Sequence, residues 1–235
     1  MELNKIKWED SDIKQFQDYI KSFRNEKRID WTRKILNTVL PCLAVPTNKI
    51  KEIAKEIMKG DYISFLDLNI WEYYDNVAIN GFVISNIFDF EVLVKYLLPY
   101  ARKVDNWANC DLLSLNINKL GLEKVFQLVE TMVKDENTFV RRIGFRIIFN
   151  YLKNDDYLHR IIQIIIEAKD EKEYYVNMIV AWLVCELFIK QRESAISLIK
   201  DGQLNDWVTN KAIQKCRDSF RVSSEDKENL LKYKK

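Results

Sequence analysis

Apolar residues recur at three- and four-residue spacing along nearly the whole chain. Ile50, Ile53, Ala54 and Ile57 form one such series, and Val125, Leu128, Val129, Met132 and Val133 another. That period puts the apolar positions on one face of a helix, whereas a half-buried strand alternates at every second residue. Cap-forming residues (Thr47, Asp61, Asn137, Asp206) and breakers (Pro41, Pro46, Pro99, Gly202) divide the pattern. The division predicts about eleven helices and no strand, an all-α fold.

A longer period lies over the helical one. Bulky aromatics open similar helical patterns at Trp71, Trp107, Phe139, Tyr175 and Trp207, separated by 36, 32, 36 and 32 residues. This is the length of one helical-hairpin repeat. It predicts an α-solenoid of about five to six antiparallel helix pairs, with a concave face lined by one helix of each pair. The expected organisation is a single domain over residues 1–235.

Composition narrows the function classes. Only 5 glycines and 3 prolines occur in 235 residues, too few turn formers for a β-sandwich or barrel. No two glycines stand close enough to build a phosphate-cradling loop, which argues against ATP- and NAD-dependent chemistry and any nucleotide cofactor. The opening MELNKIKWED lacks an apolar leader core, and no long uncharged apolar run occurs, so no membrane role and a cytoplasmic location are expected. Cys42, Cys110, Cys185 and Cys216 form no CxxC pair and read as reduced thiols. His159, the lone histidine, reads as structural, and neither a zinc site nor a Ser-His-Asp triad is expected. The net charge of +2 conceals a segmental pattern: residues 61–100 carry 1 basic and 6 acidic groups, residues 200–235 carry 9 and 6. A polyanion would have to be held by a local basic face.

In repeat register, Asp111 stands four residues after its aromatic, Arg142 three after its own and Trp182 seven after its own. At 100° per residue these offsets fall within a sector of about 100°, with Trp107 at its edge. A carboxylate, a guanidinium and two indoles on one face suit a cationic or planar group. Arg141 and Arg146, with Lys211, Lys215, Arg217 and Arg221, extend a basic track that suits a phosphate backbone. Pattern alone favours a plainer reading: indoles at helical spacing belong to the core, and an Asp early in a helix complements its dipole. Asp75, one repeat earlier, fits that reading.

The ordered runs VDNWANCD (104–111), FVRRIGF (139–145), YYVNMIVAW (174–182) and TNKAIQKCRDSFRVSSEDK (209–227) resemble the HEAT-like repeat DNA alkylation-repair glycosylases, the AlkC/AlkD superfamily. The similarity spans about residues 40–227. The resemblance implies a stack of antiparallel HEAT-like pairs that holds duplex DNA in a basic cleft and acts without metal or cofactor, taken here as a monomer. It implies hydrolysis of the N-glycosidic bond of 3- or 7-alkylated purines, with Asp111 as catalytic carboxylate. By the same carry-over Trp107 and Trp182 contact the nucleotide and Arg142 a nearby phosphate. Cys185 stands where family members often place an arginine, removing one anchor. Residues 1–40 form divergent N-terminal helices, and 222–235 a polar tail. Two alternatives stay open: a noncatalytic member that binds plain or branched DNA, and a scaffold for a protein partner.

Overall fold

A computed structural model describes all 235 residues. It contains fifteen α-helices, four short 3₁₀ turns and no strand, so the fold is all-α. Eleven of the helices are nine residues or longer. The other four are short, and helices of that length display little of the period, so the total exceeds the eleven or so that periodicity predicts. No helix is long and apolar enough to cross a membrane. The four cysteines are buried and none forms a disulfide; His159 is exposed.

The chain folds as two compact units, residues 1–125 and 126–235. The first contains α1 (Asp10–Lys21), α2 (Glu26–Leu36), α3 (Thr47–Ile57), α4 (Tyr62–Asp67), α5 (Tyr74–Ile84), α6 (Phe90–Lys103), α7 (Trp107–Asp111) and α8 (Ile117–Leu120). Nine of the eleven residues of α5 are buried. A helix apolar on nearly every side must be surrounded, and α3, α6 and α7 pack on it. Gly81 of α5 permits this closeness, because a Cβ there would stand 2.4 Å from the Tyr100 hydroxyl and 2.6 Å from Leu112.

The second unit begins inside α9 (Leu122–Met132) and continues with α10 (Thr138–Ile148), α11 (Leu158–Glu167), α12 (Tyr174–Lys190), α13 (Arg192–Lys200), α14 (Asp206–Asp218) and α15 (Ser224–Leu230). Its centre is α12, with eleven of seventeen residues buried and with α10, α13 and α14 around it. The neighbouring helices are amphipathic. In α11, Ile161, Ile164 and Ile165 face inward while His159 and Gln163 face out.

Several predicted boundaries shift for local reasons. Asp61 and Asn137 are N-caps, their side-chain oxygens accepting from Ser64 N–H at 3.1 Å and Phe139 N–H at 2.9 Å. Thr47 and Asp206 instead lie one residue inside their helices; at the latter, Asn205 caps by accepting from Val208 N–H at 2.8 Å. Pro99 does not break its helix: α6 continues through it. A proline inside a helix costs about 3 kcal/mol, but Leu93, Tyr96, Leu97, Tyr100 and Ala101 bury a stripe on both sides of it. Trp71 likewise precedes α5 instead of opening it, because Tyr73 takes the N-cap position.

Candidate functional site

In the first unit the chemistry-bearing helix is α7, five residues reading WANCD. So short a helix is not stable by itself, and the surrounding chain holds it. The buried Asn106 caps it by accepting from Asn109 N–H at 3.0 Å. The fully buried Tyr100 donates its hydroxyl to the Asn109 carbonyl at 2.6 Å. Beside the cap, Asp105 accepts from the Thr38 hydroxyl and the Val39 N–H, both at 2.8 Å, which ties the segment after α2 to the start of α7. The Trp107 indole donates to the Ile35 carbonyl at 3.2 Å, a second tie to α2.

Trp107 and Asp111 therefore stand on a fixed platform. Four residues apart, they share one side of α7, while Asn109 and Cys110 are buried. The Trp107 ring is 37% exposed and Asp111 is half-buried. An indole face and a carboxylate side by side can receive a planar cationic group.

Asp75 and Asp111, alike in repeat register, differ in place and use. Asp75 lies in the first turn of α5, fully buried, and accepts from Leu43 N–H at 2.7 Å and Val45 N–H at 2.8 Å. Burial pushes its carboxyl above the usual range, and the backbone N–H groups of 43–45 act against that shift. Asp111 is the last residue of α7, where a helix dipole does not favour an anion. The dipole-partner reading thus fits Asp75 and not Asp111.

In the second unit a chain of contacts links three helical segments and the turn that follows α14. The Arg146 guanidinium lies 5.3 Å from the centroid of the Phe149 ring. Phe149 meets Trp182 edge to face at 4.8 Å, and the Trp182 indole donates to Glu186 Oε1 at 3.3 Å. Arg221 clamps Glu186 through both guanidinium nitrogens, one at 2.9 Å to Oε2. Burial pushes the Glu186 carboxyl up, but Arg221 and the indole N–H outweigh it and hold the carboxyl below its ordinary value. Phe149 and Glu186 carry no signal in the repeat register; only the spacing of Glu186 four residues after Trp182 hints at a shared face.

The remaining predicted residues divide by what already engages them. Arg142, 5% exposed, donates to the Tyr175 carbonyl at 2.7 Å across to α12. Arg141 pairs with Glu171 at 2.8 Å and donates to the Asp135 and Glu136 carbonyls. On α14, Lys211 donates to Gln214 at 2.8 Å, Lys215 is half-buried and Arg217 exposed. Cys185 is buried in α12.

The fold is all-helical, with an indole and a carboxylate one turn apart on a buttressed short helix and guanidinium groups on other helices. The sequence profile described as DNA alkylation repair enzyme matches residues 13–216, and the chain belongs to that family. No curated protein matches the chain. The match begins well before residue 40, where the motif resemblance starts, and takes in α2 and most of α1. It ends at Cys216, leaving Arg217, Arg221 and α15 beyond it.

Proposed function

We propose that the protein is an alkylpurine DNA glycosylase, a monomer acting on duplex DNA, built as one domain of about five to six antiparallel HEAT-like pairs. The observation that carries this reading is the Trp107–Asp111 pair, half-open and fixed from two sides, in a chain of the DNA alkylation repair enzyme family.

A purine alkylated at N3 or N7 is cationic and a good leaving group. As the bond from its N9 to C1′ breaks, the electron pair departs with the base and cancels its charge, while positive charge develops on the sugar. The Asp111 carboxylate stabilises that oxocarbenium-like state and orients the water that adds to C1′. Trp107 and Trp182 present ring faces to the cationic nucleotide. Arg141, Arg146, Lys211, Lys215, Arg217 and Arg221 line the backbone, and Arg142, which the family resemblance assigns to a neighbouring phosphate, reaches one only by giving up its bond to the Tyr175 carbonyl.

One observation favours a second reading, a noncatalytic DNA-binding member. Arg141 and Arg221 are already paired with Glu171 and Glu186, which weakens the basic track.

Release of free 3- and 7-methylpurines from methylated duplex, by wild type and by Asp111→Asn, tests the proposal. Release by wild type, reduced about 100-fold or more in the variant with unchanged folding, supports it. No release by folded, DNA-binding protein transfers the assignment to the noncatalytic reading.

A further inference from the structure

A groove on the second unit takes in two of the residues assigned above to the DNA backbone, Lys211 and Arg217, and sets them beside Trp207. Trp207, Asn210, Lys211, Gln214 and Arg217 recur along α14 at helical spacing and form one stripe, with the buried Ile213 beneath. The segment after α15 folds back alongside and supplies Leu231 and Lys234 as the opposite wall. The volume of the groove is about 400 Å³. This lies within the range of sites that hold small organic molecules.

The second wall is fixed by separate contacts. The Asn210 side chain donates to the Lys235 carbonyl and accepts from the Lys235 N–H, each at 2.9 Å. That pairs an amide side chain with backbone as a strand neighbour would. Arg192 of α13 pairs with Asp226 of α15, and Ser223 caps α15 by accepting from Asp226 N–H at 3.1 Å. Leu230 is buried. The groove is therefore formed before any ligand arrives.

Its chemistry is one-sided. Three cationic side chains (Lys211, Arg217, Lys234) line it and no Asp or Glu side chain does. At one end lies the Trp207 indole, 40% exposed, held by an edge contact with Tyr174 at 5.7 Å. The Lys211 ammonium stands 5.9 Å from the indole centroid. Asn210 and Gln214 add amide groups to the lining, the first turned to Lys235 and the second accepting from Lys211. A π-face beside cations and amides is the pairing that takes one unstacked nucleotide: base on the ring, phosphate on the cations.

We infer that this groove binds a single nucleotide of an unpaired DNA strand, a second nucleic-acid subsite apart from the Trp107–Asp111 pair. The inference rests on the DNA-binding reading above, and its opposite wall lies outside the family match, which ends at Cys216. The site thus requires α15 and the segment after it as well as the shared repeat.

Calorimetric titration of the full chain tests it. The probes are 5′-dAMP, deoxyadenosine and inorganic phosphate, then two duplexes of equal length, one blunt and one with a 5′-phosphorylated single-stranded overhang. The expected result is saturable 5′-dAMP binding, with deoxyadenosine and phosphate each roughly tenfold weaker or worse, because stacking and charge act together. Trp207→Leu and Lys234→Gln each lower 5′-dAMP affinity roughly five- to tenfold and abolish any preference for the overhang duplex. Lys234 is exposed, so its variant reports binding without a folding defect. Absence of saturable 5′-dAMP binding, phosphate binding as tight as the nucleotide, or variants equal to wild type overturns the subsite. Binding of 5′-dAMP without overhang preference overturns the strand as its source in favour of a free mononucleotide. Asp111→Asn leaves 5′-dAMP binding unchanged, so failure of base release and failure of this groove read out separately.

Discussion

Asp75 and Asp111 offer a direct test of whether two carboxylates at the same repeat position have been assigned correctly. Asp75→Ala removes the acceptor of two backbone N–H groups, those of Leu43 and Val45, both on buried residues. Hydrogen bonds to a charged group contribute about 1.5–3 kcal/mol each, so the gross loss is about 3–6 kcal/mol. Two effects offset part of it. Burial disfavours the carboxylate's charge, and Ala44 between the two donors has a φ of 54°, a left-handed conformation that an unpinned loop is free to leave. Relief of such a residue returns about 1–2 kcal/mol, and a net loss of about 2–4 kcal/mol follows. With an m-value of about 3 kcal/mol/M, the urea midpoint falls by about 1 M. Asp75→Asn falls between, because its carboxamide oxygen serves one N–H while its NH₂ faces the other. Asp111→Asn, at a half-buried position ending α7, moves the midpoint by about 0.2 M or less. Urea melts of the four proteins decide the matter. An unchanged midpoint for Asp75→Ala, or a collapse of Asp111→Asn, refutes the division of roles.

Two further outcomes follow from packing and charge. Glu186 has its folded-state pKa lowered relative to its ordinary value of 4.5, so the stability it contributes is present above that value and lost as pH falls through the folded one. Thermal melts of wild type and Glu186→Gln should differ by a constant amount from neutral pH to about 5 and converge below it; a difference independent of pH down to 3 contradicts the Arg221 clamp. Gly81→Ala drives a methyl toward the Tyr100 hydroxyl and Leu112, at a cost of about 1–3 kcal/mol. Since that hydroxyl holds the Asn109 carbonyl on α7, base release should fall as well; a variant as stable and as active as wild type shows that α7 does not depend on this contact.

The helical period of the apolar residues was enough to establish the all-α class, because one-sided burial must repeat with the turn of the helix. The short α7 was legible only through its aromatic and its place in the repeat, since five residues show no period. The sequence also placed Trp107 and Asp111 one turn apart, a consequence of helix geometry alone. What it left undivided was the pair of aspartates: equal spacing put Asp75 and Asp111 in one class, and only tertiary packing buried the first against Leu43 and Val45 while leaving the second half-open. The same limit applies to charge. Arg141, Arg217 and Arg221 are equivalent as letters, yet Glu171 and Glu186 lie 30 and 35 residues from the arginines they pair with, while Arg217 turns toward a groove whose other wall comes from Leu231 and Lys234. Local period fixes which residues share a helix face, because it depends on neighbours along the chain. Which charge is spent in an ion pair and which is left for a ligand depends on residues brought together by folding, and that was decided only by the tertiary structure.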